Sequence, residues 1–346
     1  MKLFKQIIII LILFFKTGTL LSANNLFNVN NILLEKKDNE LSSDLANQAI
    51  KKGFNKLINK VLLKEDIARV SDLDFVTIKD LVTFYNISNN SNKLNNEISF
   101  NISFDKEKIH NLFYKKGILY SDISDKEFFI LPILIRKNKI FIFANNYFYN
   151  NWNISNENEL IEFILPQENI EIIQKINKSR DNLYDLNLTT LLTEYKNKNI
   201  AIVLIDETIS NKSKIFIRAR IENKYISKSL TLISKNDELE RFKENIIFEI
   251  KNVITNLVKS QNLIDIRTPS FLNVKLNLNK KNNLYLFNLK IKDIGSIEKI
   301  FVQQFNRDYV NLRIKYLGKI EKLINQLKNE NINLRLVNDE WVIKIL

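Results

Sequence analysis

The sequence contains no cysteine, and it has only one histidine, five glycines and three prolines among its 346 residues. Without cysteine, the chain has no disulfides, thiolate nucleophiles, iron–sulfur clusters or cysteine-ligated zinc. The single histidine, His110, excludes metal sites built from several histidines and leaves one base for a serine–histidine–aspartate triad. The glycines are too scattered for a dinucleotide-binding motif or a P-loop, so no cofactor is predicted.

Apolar residues are plentiful: they make up 45% of the chain and include 23 phenylalanines. A chain of this length and composition can bury sizeable cores and form two or three domains of ordinary size. The same composition argues against a disordered chain. Because glycine and proline are scarce, tight turns are expected to use Asn and Asp, which tolerate left-handed backbone conformations.

Positive charge exceeds negative charge, since 52 Lys and Arg residues against 39 Asp and Glu residues give a formal net charge of +13. A basic surface can attract nucleic acid, anionic lipid or acidic polymers. The lysines, however, are spread along the chain and interleaved with acids, and the heavy use of Lys, Ile and Asn is typical of an AT-rich genome. This pattern favours solvated lysines over a dedicated anion-binding face, and no nucleic-acid partner is expected.

Residues 1–23 have the organisation of a signal peptide. Lys2 and Lys5 precede an unbroken apolar stretch, Ile7–Phe15, which is too short to span a bilayer. Cleavage is predicted after Ala23; the alternatives are an uncleaved anchor and a buried helix. The sequence therefore predicts a periplasmic protein that meets the membrane only through its leader during export.

The fold class predicted for the mature chain is α+β, with two or three small mixed-sheet units and packed amphipathic helices. The first predicted domain covers residues 24–120. Its predicted elements are an edge strand at 26–34, a helix at 42–62, a broken helical stretch at 64–85, a strand at 97–104 and a helix from Asp105 to Gly117. The strand at 97–104 is predicted from strict alternation, and the helix at 42–62 from a continuous apolar stripe.

The second predicted domain covers residues 126–265. Its predicted elements are an apolar strand at 128–135 with a hairpin partner at 140–143, helical stretches near 168–177 and 186–196, a buried strand at 200–205, an antiparallel pair at 215–221 and 225–233, and a long helix from Asp237. Pro132 argues for an edge position or a bulge in the first of these strands.

The third predicted domain covers residues 268–346, after Pro269. Alternation predicts strands at 271–278 and 284–291, joined by a polar turn. Its remaining predicted elements are strands at 297–305 and 309–316, a helix after Gly318, and a final hairpin about Asn338 and Asp339.

The order of these segments resembles the exported Gram-negative bacterial family known as domain of unknown function 2066. The segments that carry the resemblance are 44–58, 80–82, the strand ending at Phe104 and Asp105, 131–134, 165–169, 191–195 with 200–204, 314–318, and Trp341. They are core and turn residues, so the resemblance implies export and an α+β fold without an activity or functional residues. The chain departs from the family in its scarcity of Gly and Pro, and Asn169 stands where the family commonly has Asp.

Three groups of residues are candidates for functional sites. The carboxylates Asp72, Asp74 and Asp80, and Asp122, Asp125 and Glu127, fit acid–base or cation chemistry, but helix caps and loops explain them better. His110 is better explained as a surface or half-buried helix residue than as a base. The aromatic side chains in an Asn-rich stretch suit either core packing or a binding surface, and they are the best sequence-based candidate for one: Tyr147, Phe148, Tyr149 and Trp152.

These observations lead to three hypotheses. The first is a non-catalytic periplasmic accessory or binding protein that acts through contacts with an envelope protein or a cell-wall polymer. The second is a hydrolase that uses the loop carboxylates near Asp72 or Asp122. The third is a membrane-surface protein that is held by an uncleaved leader. Whether the chain is an enzyme stays undecided at this point, although the patterns favour a non-enzyme.

Overall fold

A computed structural model describes residues 26–35, 41–88, 97–123, 127–153, 160–209, 212–234, 238–278, 283–292 and 294–346. The predicted leader, residues 1–23, lies outside the described residues. The chain divides into two compact units, one of residues 1–59, 68–118 and 265–346 and the other of residues 60–67 and 119–264. The three predicted domains, 24–120, 126–265 and 268–346, stay a prediction. None of the helices in the described part of the chain combines the length and the apolar character that a membrane span needs.

The N-terminal segment is a three-stranded antiparallel sheet with helices. Its elements are β1 (Asn28–Glu35), α1 (Ser42–Val61), α2 (Lys64–Ser71), α3 (Phe75–Asp80), β2 (Val82–Ser88), β3 (Glu97–Phe104) and α4 (Lys106–Lys116). The strand order is β1-β3-β2, which confirms β1 as an edge strand. The sequence prediction of a helical stretch to residue 85 is wrong after Asp80, because Val82–Ser88 pairs with β3.

Helix α1 packs against this sheet at Gly53. A Cβ atom at Gly53 would lie 2.8 Å from Ile102 Cδ1 and 2.9 Å from Ile32 Cδ1, so a larger residue would push the helix off β1 and β3. The predicted apolar stripe of α1 is buried, with Phe54 and Leu57 at its centre. Helix α4 begins at the predicted cap Asp105 and ends at Gly117 in the left-handed conformation.

The middle unit is built on a six-stranded mixed sheet. Its strands are β5 (Glu127–Arg136), β6 (Lys139–Phe141), β7 (Glu162–Ile164), β8 (Asn199–Ile209), β9 (Lys212–Ile221) and β10 (Lys224–Ile233), and two short strands, β4 (Tyr120–Ser121) and β11 (Leu263–Ile264), pair separately. Its helices are α5 (Tyr147–Asn151), α6 (Ile170–Lys178), α7 (Leu188–Leu191) and α8 (Leu239–Gln261). Apolar cores lie on both sides of the sheet, one shared with α8 and the other with α6 and α7. The parallel strands β5 and β8 are therefore buried on both faces.

Pro132 lies in the interior strand β5, so the predicted edge position is corrected. On one side β5 pairs with β8 along its length, while on the other side β7 pairs with residues 127–129 and β6 with residues 134–136. Pro132 lies in the gap between those two partners. The buried Asn146 closes this gap, because its Nδ2 donates to the carbonyl oxygens of Pro132 and Ile142 at 2.9 Å each.

The C-terminal segment is a five-stranded sheet with two helices on one face. Its elements are β12 (Ser270–Asn277), α9 (Asn283–Ile291), β13 (Ile297–Phe305), β14 (Tyr309–Tyr316), α10 (Ile320–Asn329), β15 (Ile332–Val337) and β16 (Glu340–Ile345). The strand order is β13-β14-β12-β16-β15. The predicted final hairpin is confirmed, and Asn338 and Asp339 both have positive φ at its turn.

The predicted strand at 284–291 is wrong, since this segment is helix α9. Strands β12 and β13 are both antiparallel to β14, which lies between them, so they run in the same direction. Strands that run in the same direction need a crossover rather than a tight hairpin, and α9 supplies it. Its Phe287 is fully buried in the core under the sheet. The small mixed sheets and their helices confirm the predicted α+β class.

Candidate functional site

The aromatic segment predicted as a binding surface is mostly core. Phe148 and Trp152 are 0% exposed, and Trp152 packs edge-on against Phe163 with the ring centroids 6.2 Å apart. These two residues are four positions apart, so they lie on the same side of α5 and its C-terminal end. Both side chains therefore face the sheet. Tyr147 is half-buried, as is Tyr149, whose hydroxyl donates to the carbonyl oxygen of Pro166 at 2.9 Å. The four side chains therefore do not form an open stacking surface.

Three of the six predicted carboxylates act as a helix cap or in surface ion pairs. Asp74 caps α3 by accepting from the backbone N–H of Thr77 at 2.7 Å, and this hydrogen bond lowers the pKa of its carboxyl group. Asp80 pairs with Lys108 at 2.9 Å, and Glu127 pairs with Lys198 at 2.6 Å. Asp125 lies outside the described residues. Within the ranges that the structure describes, no three His, Asp or Glu side chains are grouped to hold a metal ion.

His110 is buried on α4 beside a carboxylate. Its Nδ1 lies 3.4 Å from Oε1 of Glu298, and its ring packs edge-on against Phe27 with the centroids 5.5 Å apart. Lys106 adds a salt bridge to Glu298 at 3.1 Å. The adjacent His110 ring and the charge of Lys106 outweigh burial and lower the pKa of Glu298 to about 2. These contacts hold α4 against the start of β13, which is a structural role.

A second buried charge lies in the middle unit. Lys259, in the last turn of α8, donates from Nζ to the carbonyl oxygen of Leu62 at 2.8 Å, and burial lowers the pKa of its amine to about 8. Leu62 follows the last residue of α1, where carbonyl groups need donors and where a positive charge is favourable. The lysine therefore caps a helix end.

A group of cations lies on the exposed face of the C-terminal sheet. Alternation along the five strands sends one set of side chains into the core under α9 and α10 and the other set to the opposite face. That opposite face carries six cations, which we call the basic face: Lys275, Lys299, Arg313, Lys315, Arg335 and Lys344. Each of the five strands supplies at least one of them.

Carboxylates of the described residues neutralise little of the charge of the basic face. Lys275 lies 3.7 Å from the carboxylate of Glu340, whereas the other five cations make no salt bridge with any described residue. Lys299 and Lys315 are direct cross-strand partners on neighbouring strands. Like charges placed directly opposite each other destabilise a sheet. The fold therefore holds positive charges together that repel one another.

Aromatic rings lie beneath three of these cations. The Arg313 guanidinium is 4.4 Å from the ring centroid of Phe271, and the Lys275 ammonium is 4.3 Å from that of Tyr309. The Lys299 ammonium is 5.3 Å from the ring of Phe301. Cation–π contacts hold these charges over the sheet without neutralising them. The face thus presents organised positive charge next to apolar rings.

A shallow groove of about 360 Å³ lies at one end of this face, beside the turn between β15 and β16. It is lined by Asn273, Val274, Lys275, Gln303, Asn311, Asp339, Glu340 and Trp341. Asn311 donates from Nδ2 to Oε1 of Gln304 on the neighbouring strand at 3.1 Å, which fixes the orientation of its amide. The groove therefore places amide, carboxylate and ammonium groups together on a basic surface.

Comparison with known proteins does not identify the chain. No protein-family model and no curated protein matches it. A solved structure described as an uncharacterized protein is similar over 40% of this chain and 99% of its own chain, with 7% identity and a TM-score of 0.17. A TM-score at this level supports no argument about fold or function.

The lowered pKa of Glu298 provides a test of its contacts with Lys106 and His110 on α4. Because its pKa falls from 4.5 to about 2 on folding, the ionised carboxylate stabilises the fold above pH 4.5, and this stabilisation is lost as the pH falls toward 2. We expect urea unfolding to show wild type losing about 1 kcal/mol more than Glu298→Gln between pH 5 and pH 3, after allowance for solvent screening. Glu321→Gln, at an exposed position of α10 that makes no salt bridge with any described residue, is the control and should retain the wild-type pH dependence. Identical pH dependence of wild type and Glu298→Gln would contradict this role.

Proposed function

We propose that this chain is an exported, non-catalytic binding protein of the cell envelope, and that its basic face binds an anionic envelope polymer. The observation that carries the proposal is the set of five cations on one exposed sheet face that no carboxylate of the described residues neutralises. An anionic ligand would relieve their mutual repulsion, so complementary charge favours binding.

The shape of the basic face favours an extended ligand. Five strands spaced about 4.8 Å apart give a surface about 19 Å wide between the outer strands β13 and β15. Small-molecule sites are usually concave, whereas this face is a sheet surface with one shallow groove. A polymer that crosses several strands would meet cations from each of them.

The placement of the titratable groups supports a binding role over a hydrolytic one. Asp74, one of the carboxylates near Asp72, serves as a helix cap, and Glu298 is held by Lys106 and His110. The alternative of hydrolysis by loop carboxylates draws no support from either of them.

Export is part of the proposal and rests on the leader pattern of residues 1–23. We expect the protein recovered from the envelope fraction of a Gram-negative host to begin at Asn24, because cleavage is predicted after Ala23. Intact-mass measurement reads this directly. Recovery from the cytosol with residues 1–23 still attached would contradict the export part of the proposal.

Charge reversal tests the basic face. We expect Arg313→Glu combined with Arg335→Glu to weaken binding of polygalacturonate, a polyanionic polysaccharide, at least tenfold in 50 mM salt. Wild-type affinity should also fall steeply as salt is raised, because exposed charges are screened. The matched control, Lys224→Glu with Lys228→Glu, makes the same charge change on β10 of the other unit.

Three outcomes would contradict the polymer site. The control pair could lose as much affinity as the basic-face pair, which would mean that overall charge decides binding. Wild type could fail to bind the polymer at low salt. Wild type could also bind single-stranded oligothymidylate more tightly than polygalacturonate at equal salt, which would point to nucleic acid instead.

A further inference from the structure

The groove beside the β15–β16 turn contains amide and carboxylate groups that electrostatic binding of an anion does not need. We propose that it is a sugar-binding subsite, in which a hydroxyl-rich ring of an acidic polysaccharide lies while the neighbouring cations hold its acidic groups. This inference rests on the proposed function, since it names the class of polymer that the basic face takes. The volume of the groove, about 360 Å³, is within the range of about 300–1,000 Å³ for small-molecule sites.

The side chains of the groove match the hydrogen-bonding character of sugar hydroxyls. A hydroxyl group both donates and accepts, and so does the amide of Asn or Gln, whereas a carboxylate only accepts and an ammonium only donates. The groove contains all three kinds of group in its lining. Asn311 is held in one orientation by its bond to Gln304, which suits a fixed pattern of donors and acceptors.

The carboxylates of the groove favour a sugar ligand over a ligand that is only anionic. Glu340 lies on the basic face 3.7 Å from Lys275, and Asp339 lies next to it in the turn. A carboxylate on an anion-binding face repels the ligand charge, so it weakens binding unless the ligand offers hydroxyl donors. Lys275 in the lining of the groove and the other cations of the basic face disfavour a cationic ligand. A ligand with a neutral, hydroxyl-bearing ring next to an acidic group suits both the carboxylates of the groove and the cations of the basic face.

Two tetramers of equal charge test this inference. Tetragalacturonate and tetraglutamate both carry four side-group carboxylates, and the first also has ring hydroxyls. We expect the chain without its leader to bind tetragalacturonate at least tenfold more tightly than tetraglutamate, as measured by calorimetry at low salt. Asn273→Ala should weaken tetragalacturonate binding three- to tenfold, the loss typical of one hydrogen bond, and leave tetraglutamate binding unchanged. Asn277→Ala, on the same face of β12 but outside the groove, is the matched control.

Glu340→Ala should affect the two tetramers in opposite directions. It removes an acceptor for hydroxyl groups, so tetragalacturonate should bind less tightly, and it removes a negative charge, so tetraglutamate should bind more tightly. A merely structural role for Glu340 would change both affinities in the same direction. Thermal unfolding of each variant checks that the fold is intact.

The outcomes separate this inference from the function on which it rests. Equal binding of the two tetramers, with no effect of Asn273→Ala, would overturn the sugar subsite and leave the anionic-polymer site standing. Tighter binding of tetraglutamate would also overturn it and would point to an acidic protein as the partner. Failure of wild type to bind polygalacturonate and both tetramers would overturn the proposed function, and the subsite with it.

Discussion

The period-two alternation of side chains along the strands is the constraint on which the C-terminal segment depends. Leu276 and Leu312 lie on one face of the sheet, where they are buried with Phe287 of α9. Because that face is covered by helices, every polar residue between the apolar ones must point to the other face. A one-residue slip of any strand would bury its cations and expose its core residues. The same packing that stabilises the sheet therefore gathers the charges.

Gathering those charges has an energetic cost that the fold only partly offsets. Lys299 and Lys315 are cross-strand partners, a position where unlike or neutral pairs would be more stable. Cation–π contacts such as that of Arg313 over Phe271 contribute favourably but leave the charge in place. Arrangements that are locally unfavourable occur in proteins where function requires them. An anionic ligand is the simplest partner that would convert this repulsion into binding free energy.

Much of the fold follows from local patterns, whereas the grouping of cations on the basic face does not. The strict alternation of β3 and the apolar stripe of α1 identify those elements because each repeats over many residues. Helix α9 was not predictable locally, since its apolar residues fit a strand almost as well, and the crossover from β12 to β13 decides its structure. The cations of the basic face come from five strands, so their grouping depends on the strand order. The burial of Trp152 could not be predicted, because a polar, Asn-rich neighbourhood does not reveal a buried ring.

The substitution Lys315→Glu tests the central claim most directly, when unfolding free energy and polygalacturonate affinity are measured on the same samples. The new carboxylate would face Lys299, so the account predicts that the free energy of unfolding rises by about 0.5 kcal/mol while the affinity falls. Lys228→Glu, the same charge change on β10, should leave the affinity nearly unchanged. Lower stability of Lys315→Glu with unchanged affinity would contradict the claim that the fold holds repelling charges together for an anionic ligand.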